Sequence, residues 1–401
     1  MPDQQSPDNQ PGSSYDDDEK ALVKKVVGDQ LRQATEPVDD PVGIYTAGAP
    51  GSGKSRNIVD GQRERFADKG GIAEVDPDLI REVFPSAEEE MAAGGTTFSA
   101  AAYKASAIVS YELCIELAGD GRNILRDGTL ANAEYTVPEI KRLKEEFSYS
   151  VEIHCAVPPP GLSWARTVAR READARDSET GFGRGVDQSY HDMAVHGLRA
   201  TAQQIFNEGL ADRYVLYDGR GEVLLDRQRG ADGQMTTVVG QRPEGEPLAK
   251  TIAHYQSNPS PQDLVDEAQT WSKALESMGT GRSEAERAEV ARHWLTAVER
   301  VRQDEGAMAL LGDHPALLAD MQRKTHRVLV VQAWYRNESD ARNAWPEGHK
   351  LMDGLNARVE QVRAENGDTK VNWRREVGDE VINRALNPAA AVAKSKDPPE
   401  R

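Results

Sequence analysis

Eight residues near the start of the chain carry its clearest chemistry. They read Gly48-Ala49-Pro50-Gly51-Ser52-Gly53-Lys54-Ser55, a complete G-x-x-x-x-G-K-[ST] phosphate-binding octet. Chance supplies such an octet in roughly one or two chains in a hundred of this length. Its flanks add to the signal, because Val42, Ile44 and Tyr45 lead in as a strand and a helix can open at Lys54. Gly48, Gly51 and Gly53 let the backbone bend until successive N–H groups, that of Ser52 among them, face phosphate oxygens. The positive end of the following helix adds to that field. In such a loop Lys54 reaches the β- and γ-phosphates of ATP or GTP, and the Ser55 hydroxyl ligates Mg²⁺.

Three further polar groups fall where elements end. Asp76-Pro77-Asp78 closes a short stretch that reads as a strand, Ile72 to Val75. The pair reads equally as carboxylates at the ligand-gathering edge of an α/β sheet or as a cap for the helix beginning at Leu79. Arg126-Asp127-Gly128-Thr129 closes a second run, Ile124-Leu125. Arg166, Arg170 and Arg171 line a basic helix at about 163–175, followed by a glycine-rich loop that holds Arg184. A carboxylate accepts the proton of an attacking hydroxyl, and guanidinium groups stabilise a phosphoryl group in flight.

The elements that must position these groups alternate. Strands are expected at about 42–45, 72–75, 124–125, 151–157 and 214–217, with helices between them and a hairpin turn at Asp218–Gly221. That alternation predicts an α/β fold, a mostly parallel P-loop-type sheet with helices on both faces. Residues 1–18 are acidic and Pro/Gln/Ser-rich and are expected to be disordered, and a helix at 19–36 precedes the sheet. A domain at 37–226, a Gly/Gln/Arg-rich linker at 227–246, an all-α domain at 247–385 and a loose tail at 386–401 complete the expected plan. In the all-α part, Ser260-Pro261, Ser283-x-x-Glu286 and Asp313-His-Pro315 open helices, and Pro346 and Gly354 interrupt the chain beyond the last of them. Trp271, Trp294, Trp334 and Trp345 are expected as core there.

The totals bound the partners. The 401 residues carry a net charge of −18, which argues against nucleic acid as the main partner. Cys114 and Cys155 stand in apolar surroundings without pair or metal spacing and read as reduced core residues. No apolar run approaches a membrane helix, and the start has no Sec-type signal, so the producing cell's cytoplasm is the expected compartment.

Taken in order, these pieces resemble the zeta-toxin family of P-loop kinases over about Val42 to Asp226. The matching segments are GAPGSGKS, VDPD with Arg81 and Pro85 downstream, GRNILRDGT, CAVP, the arginine helix TVARRE and a G-x-G-R turn. The resemblance implies ATP- or GTP-dependent phosphorylation of the 3′-hydroxyl of UDP-N-acetylglucosamine's sugar, which starves peptidoglycan synthesis. By position it implies Asp78 as catalytic base, Lys54, Arg170 and Arg184 as phosphate-clamping groups, and Asp76, Asp127 and Thr129 on the acceptor side. The family's E-G-T is Asp127-Gly128-Thr129 here, a basic position two beyond it is Ala131, and a sugar-holding helix carboxylate falls on Tyr111. Glu112, one residue on, is the nearest substitute, about 100° around the helix. All these departures lie on the acceptor side, which keeps two other readings open. One is the same transfer to another nucleotide such as NAD, as in exported effectors; the other is a nucleotide-gated binding module without catalysis.

The resemblance also implies a protein partner, an antitoxin or an immunity or chaperone protein. A helix at 19–34 or the all-α domain could instead restrain the kinase within one chain, with the former better placed.

Overall fold

A computed structural model describes residues 14–93, 98–243, 245–278, 282–312 and 349–366, with a few scattered positions between and beyond them. Two compact units divide the chain, one ending at Asp263 and the other running from Leu264.

The first unit is built on a seven-stranded sheet in the order β2-β3-β1-β4-β5-β6-β7. The strands are β1 (Val42–Ala47), β2 (Ala73–Val75), β3 (Ile124–Arg126), β4 (Ser150–Ala156), β5 (Arg213–Tyr217), β6 (Val223–Arg229) and β7 (Met235–Val239). The first five are parallel, and β6 and β7 turn back antiparallel. β1 is central, pairing Gly43 with Ile124 on one side and with Val151 on the other. Burial on both faces explains why its run VGIYTA is continuously apolar apart from Thr46, instead of alternating.

Helices cover both faces: α1 (Asp17–Ala34), α2 (Asp60–Phe66), α3 (Pro77–Glu82), α4 (Pro85–Ala92), α5 (Ala100–Gly119), α6 (Ala133–Phe147), α7 (Pro160–Asp177), α8 (Gln188–Asn207) and α9 (Leu248–Ser257). One core runs from Val23 of α1 through Leu113 and Leu117 of α5 to Ile252 of α9.

α1 is part of that core and not a detachable arm. Val23 and Val27 are buried, and Gly28 lets the helix approach Leu113 of α5 closely. Lys24 bridges to Glu112 and Glu116, and Arg32 to Glu116 and Asp120. Its first turn also reaches across to α4, where the Glu19 carboxylate accepts from the backbone N–H of Ser86 at 2.7 Å and from its hydroxyl at 2.8 Å. The helix starts at Asp17, capped by Asp16, two residues before its expected start.

The stretch expected as a linker, 227–246, is structured instead. β6 continues to Arg229 and pairs with β7, and the guanidinium of buried Arg227 donates to the carbonyls of Pro243 and Glu246. Sequence reading failed there because one long cationic side chain, and no apolar run, supplies the interior. The boundary moves as well. Leu248 and Ile252 of α9 lie in the sheet's own core, and the Gln203 side chain caps Ala249, so α9 belongs to the first unit.

The described part of the second unit is helical. It comprises most of α10 (Pro261–Ser277), α11 (Glu284–Gln303), α12 (Glu305–Gly312) and a helix at His349–Asn366. Ser283 and Glu286 form the expected capping box. Trp271 and Trp294 are buried, with Trp271 stacked on His293 at 4.7 Å. Gly354 lies inside its helix and does not interrupt it. Trp334, Trp345, Pro346 and Asp313 to Pro315 lie outside the described residues.

Candidate active site

The phosphate loop leaves β1 at Ala47, at the C-terminal edge of the parallel strands. Gly48 has φ +147°, and a Cβ there would lie 2.7 Å from the Ala156 carbonyl oxygen. Gly51 has φ +75°, and a Cβ there would overlap the Ser163 carbonyl and sit 2.6 Å from the Thr167 hydroxyl. The loop is therefore shaped against β4 and α7, and only glycine fits at both points. Lys54 Nζ donates to the Gly48 carbonyl at 2.8 Å, which holds the ammonium over the loop. The Ser52 hydroxyl is buried without a hydrogen-bond partner among the described residues. A cradle that excludes Cβ atoms and an orphaned buried hydroxyl both fit a bound phosphate chain. The first turn after the loop, Ser55–Val59, is wide: the Asp60 N–H donates to the Ser55 carbonyl five residues back. That leaves the Ser55 side chain exposed at the loop's rim.

Two neighbours brace the loop. Arg166 and Asn57 both donate to the Gly219 carbonyl, at 2.9 and 3.1 Å, tying the Asp218–Gly221 turn to the loop's helix. The Ser163 hydroxyl contacts His191 Nε2 at 2.9 Å and ties α7 to α8. Burial pushes His191 below its ordinary value, so the ring is neutral at pH 7. Arg170 follows Ser163 by two helical turns and Thr167 by three residues, so it shares the face that backs the loop. It is exposed and makes no ion pair or hydrogen bond among the described residues.

The strand-end carboxylates gather at the same edge. Asp76 follows β2 and Asp127 follows the adjacent β3, and the Asp127 N–H donates to the Val75 carbonyl at 3.1 Å. Thr46 of β1 hydrogen-bonds the Asp127 carboxylate. Asp76 stands at the end of β2 and also caps α3, accepting from the Asp78 N–H at 2.7 Å. Burial, and after it the charges of Asp127 and Asp78, push the Asp76 carboxyl up to about 7. Asp78 stands in the first turn of α3 with its side chain 60% exposed, and Arg81 Nη1 approaches it at 2.9 Å. Arg184 Nη1 lies 3.1 Å from Glu82 of α3, and its Nε lies 3.2 Å from Asp174 of α7. The arginine loop is thus fastened to the helix that carries Asp78. Thr129 accepts from the Ala131 N–H at 3.3 Å and stands in the turn after β3.

Glu112 is not brought to this edge. α5 starts at Ala100 beside the site and runs toward the opposite edge of the sheet, so Glu112 lies about 18 Å along it. Its carboxylate is held by Lys24 at 2.8 Å. Reading sequence register alone could not show that α1 claims this face of α5.

Sequence reasoning also passed over a network beneath the site. Arg126 pairs with buried Glu139 of α6 at 3.3 Å, and the Tyr45 hydroxyl donates to the same carboxylate at 3.0 Å. Burial, with the Glu139 charge, pushes the Tyr45 hydroxyl and the Cys114 thiol well up. This network sets β3 against β1 and α6 directly below Asp127. Its only sequence signal was Arg126 in a strand, and no spacing points from there to Glu139.

Among the described residues, no three His, Cys, Asp or Glu side chains gather as a metal site, and no helix is long and apolar enough to cross a membrane.

Residues 25–230 match the family model described as zeta toxin. Among solved structures, the fold resembles one from the PezAT chromosomal toxin-antitoxin system of Streptococcus pneumoniae. That match has 19% identity and a TM-score of 0.52, covering 65% of this chain and 98% of the other. Weaker likenesses, with TM-scores of 0.43 and 0.41 and 14% identity, are to the AvrRxo1-ORF1:-ORF2 complex in its native form and with ATP. They cover 70% of this chain in each case, and 85% and 86% of the other. No curated protein matches the sequence.

Proposed function

The chain belongs to the zeta-toxin family, and we propose that it is an ATP- or GTP-dependent kinase that phosphorylates a hydroxyl of a nucleotide sugar of the UDP-N-acetylglucosamine type. One observation carries this reading: the phosphate loop, Asp78, the Arg170 face of α7 and the anchored Arg184 all meet at one edge of one sheet.

In this reading the loop's N–H groups, Gly51 through Ser55, and Lys54 hold the triphosphate over the turn that Gly48 opens. The Ser55 hydroxyl would hold Mg²⁺ together with the nucleotide, and the ion would supply neutralisation of phosphate charge when bound. Asp78 accepts the acceptor hydroxyl's proton as that oxygen forms a bond to the γ-phosphorus. The bond from the γ-phosphorus to the β,γ-bridging oxygen breaks, and the nucleoside diphosphate leaves. Arg170 and Arg184 face the charge that spreads over the transferring group. Thr129, with Asp76 and Asp127 nearby, belongs to the acceptor wall. Asp127 also touches Thr46 of the loop's own strand, which sets it close to the nucleotide.

A protein antitoxin is the partner that the toxin-antitoxin relative suggests, and the cytoplasm is the compartment in which such a substrate is met. Incubation with ATP, Mg²⁺ and a panel of nucleotide sugars and dinucleotides, with mass spectrometry of the products, tests the acceptor. Transfer to NAD in preference to UDP-N-acetylglucosamine would replace the acceptor but keep the chemistry, and ATP binding without any transfer would overturn the kinase reading.

A further inference from the structure

The structure assigns Arg81 a role beyond packing: it is the positioning residue for Asp78, an inference that rests on reading Asp78 as the base. α3 has only six residues, too few to hold a catalytic side chain steady alone. Arg81 lies one turn beyond Asp78 in that helix, and the two differ sharply in environment. The Asp78 side chain is 60% exposed, whereas that of Arg81 is 7% exposed. A helix-surface arginine ordinarily extends into water, but this one is covered by rings. Its guanidinium lies 4.0 Å from the Tyr103 centroid of α5 and 5.5 Å from that of Phe98. Phe98 in turn packs on Phe182 at 5.0 Å, two residues before Arg184.

The polar side of this arrangement is incomplete. Asp78 is the hydrogen-bond partner of the guanidinium among the described residues, and Arg81 Nε is buried with none. Here a rigid, ring-clamped fork with one nitrogen left orphaned presents another to a solvent-facing carboxylate. The same helical turn offers Glu82 to Arg184. One short helix thus carries both the proposed proton acceptor and the carboxylate that anchors Arg184. Positioning of this kind acts on turnover, and small misplacements are costly.

The test is a double-mutant cycle on ATP hydrolysis, with water as the acceptor, so that no assumption about the sugar enters. Arg81→Gln, Asp78→Asn and the double variant of the full-length protein are compared, with ATP affinity measured alongside. Arg81→Gln should lower turnover by about 10²-fold with ATP affinity unchanged, and should cost nothing further in the Asp78→Asn background. Arg81→Lys should recover only part, because an ammonium cannot lie flat on Tyr103 and keep the fork. Equal falls in both backgrounds would make Arg81 a structural residue and overturn the inference, as would parental turnover in Arg81→Gln. Parental turnover in Asp78→Asn would sink the base assignment by itself. Should Arg81→Gln not fold, Tyr103→Leu keeps both charges and loosens the clamp. It should show the same coupling at smaller size, and additivity there overturns the inference equally.

Discussion

Replacing Asp76 by Asn probes the strand-end carboxylates directly. Asparagine caps a helix as well as aspartate does, so α3 should keep its start. What changes is the charge. The Asp76 carboxyl is raised from 3.8 to about 7 in the folded protein, first by burial and then by Asp127 and Asp78. Linkage gives the sign: the folded state binds this proton more tightly than the unfolded chain does. The stability that the proton supplies is therefore fully present below pH 3.8 and is lost as pH rises to about 7. Roughly three pH units at 1.36 kcal/mol each bound the loss at about 4 kcal/mol, and partial hydration of the carboxylate brings the expected value to roughly 2–4 kcal/mol. Asp76→Asn escapes this loss. It should match the parent near pH 4, gain on it steadily toward neutrality and hold a constant advantage above that. Urea equilibration followed by a proteolytic pulse, scored on the fragment carrying β1 to β5, isolates the first unit from the second. A difference between the two proteins that does not change with pH, or a parent that gains stability toward neutrality relative to the variant, would refute the reasoning.

Four other outcomes are expected. Lys54→Ala should weaken ATP binding and abolish transfer, whereas Asp78→Ala should abolish transfer with ATP binding nearly intact, as equilibrium binding and product assays can separate. Arg170→Ala and Arg184→Ala should each lower kcat by about 10²–10³-fold, and Arg184→Lys should not restore it, since one ammonium cannot reach both Glu82 and Asp174 as the fork does. Gly51→Ala should abolish nucleotide binding, because its Cβ would overlap the Ser163 carbonyl; retained affinity in a calorimetric titration would show that α7 can retreat. Deletion of residues 1–36 should lower the melting temperature and give no rise in ATP turnover, because Val23 and Val27 alone bury roughly 3–6 kcal/mol of apolar contact.

The parts of the site legible in the sequence were those written in consecutive residues. The phosphate octet, the Asp76-Pro77-Asp78 turn and the glycine-flanked Arg184 each carry their backbone geometry in local residue types, and each lies at the expected sheet edge. Glu112 shows where this stops, because helical register gives the direction of a side chain but not which neighbour occupies that side. Lys24, 88 residues earlier, decided it. β7 was hidden for a related reason. Its residues Met235–Val239 form an edge strand, half open to water, so no apolar run announced it. The Arg126–Glu139 pair and the Arg81 clamp depend on long-range packing and leave no trace in spacing.

The central place of β1 has a consequence for how the protein is made. Its partners are residues 124–126 on one side and 150–155 on the other, so the strand leaves the ribosome long before either neighbour exists. At roughly 5–20 residues per second, the octet waits several seconds with its flanking strand unpaired. During that interval it has neither Asp127 beside it nor Ser163 and Thr167 behind it. A chain whose synthesis is interrupted before α7 therefore carries the complete phosphate-binding sequence without the Ser163 and Thr167 contacts that shape it at Gly51. Premature fragments should be inert, and competence should come only once the arginine helix, Pro160–Asp177, closes against the loop.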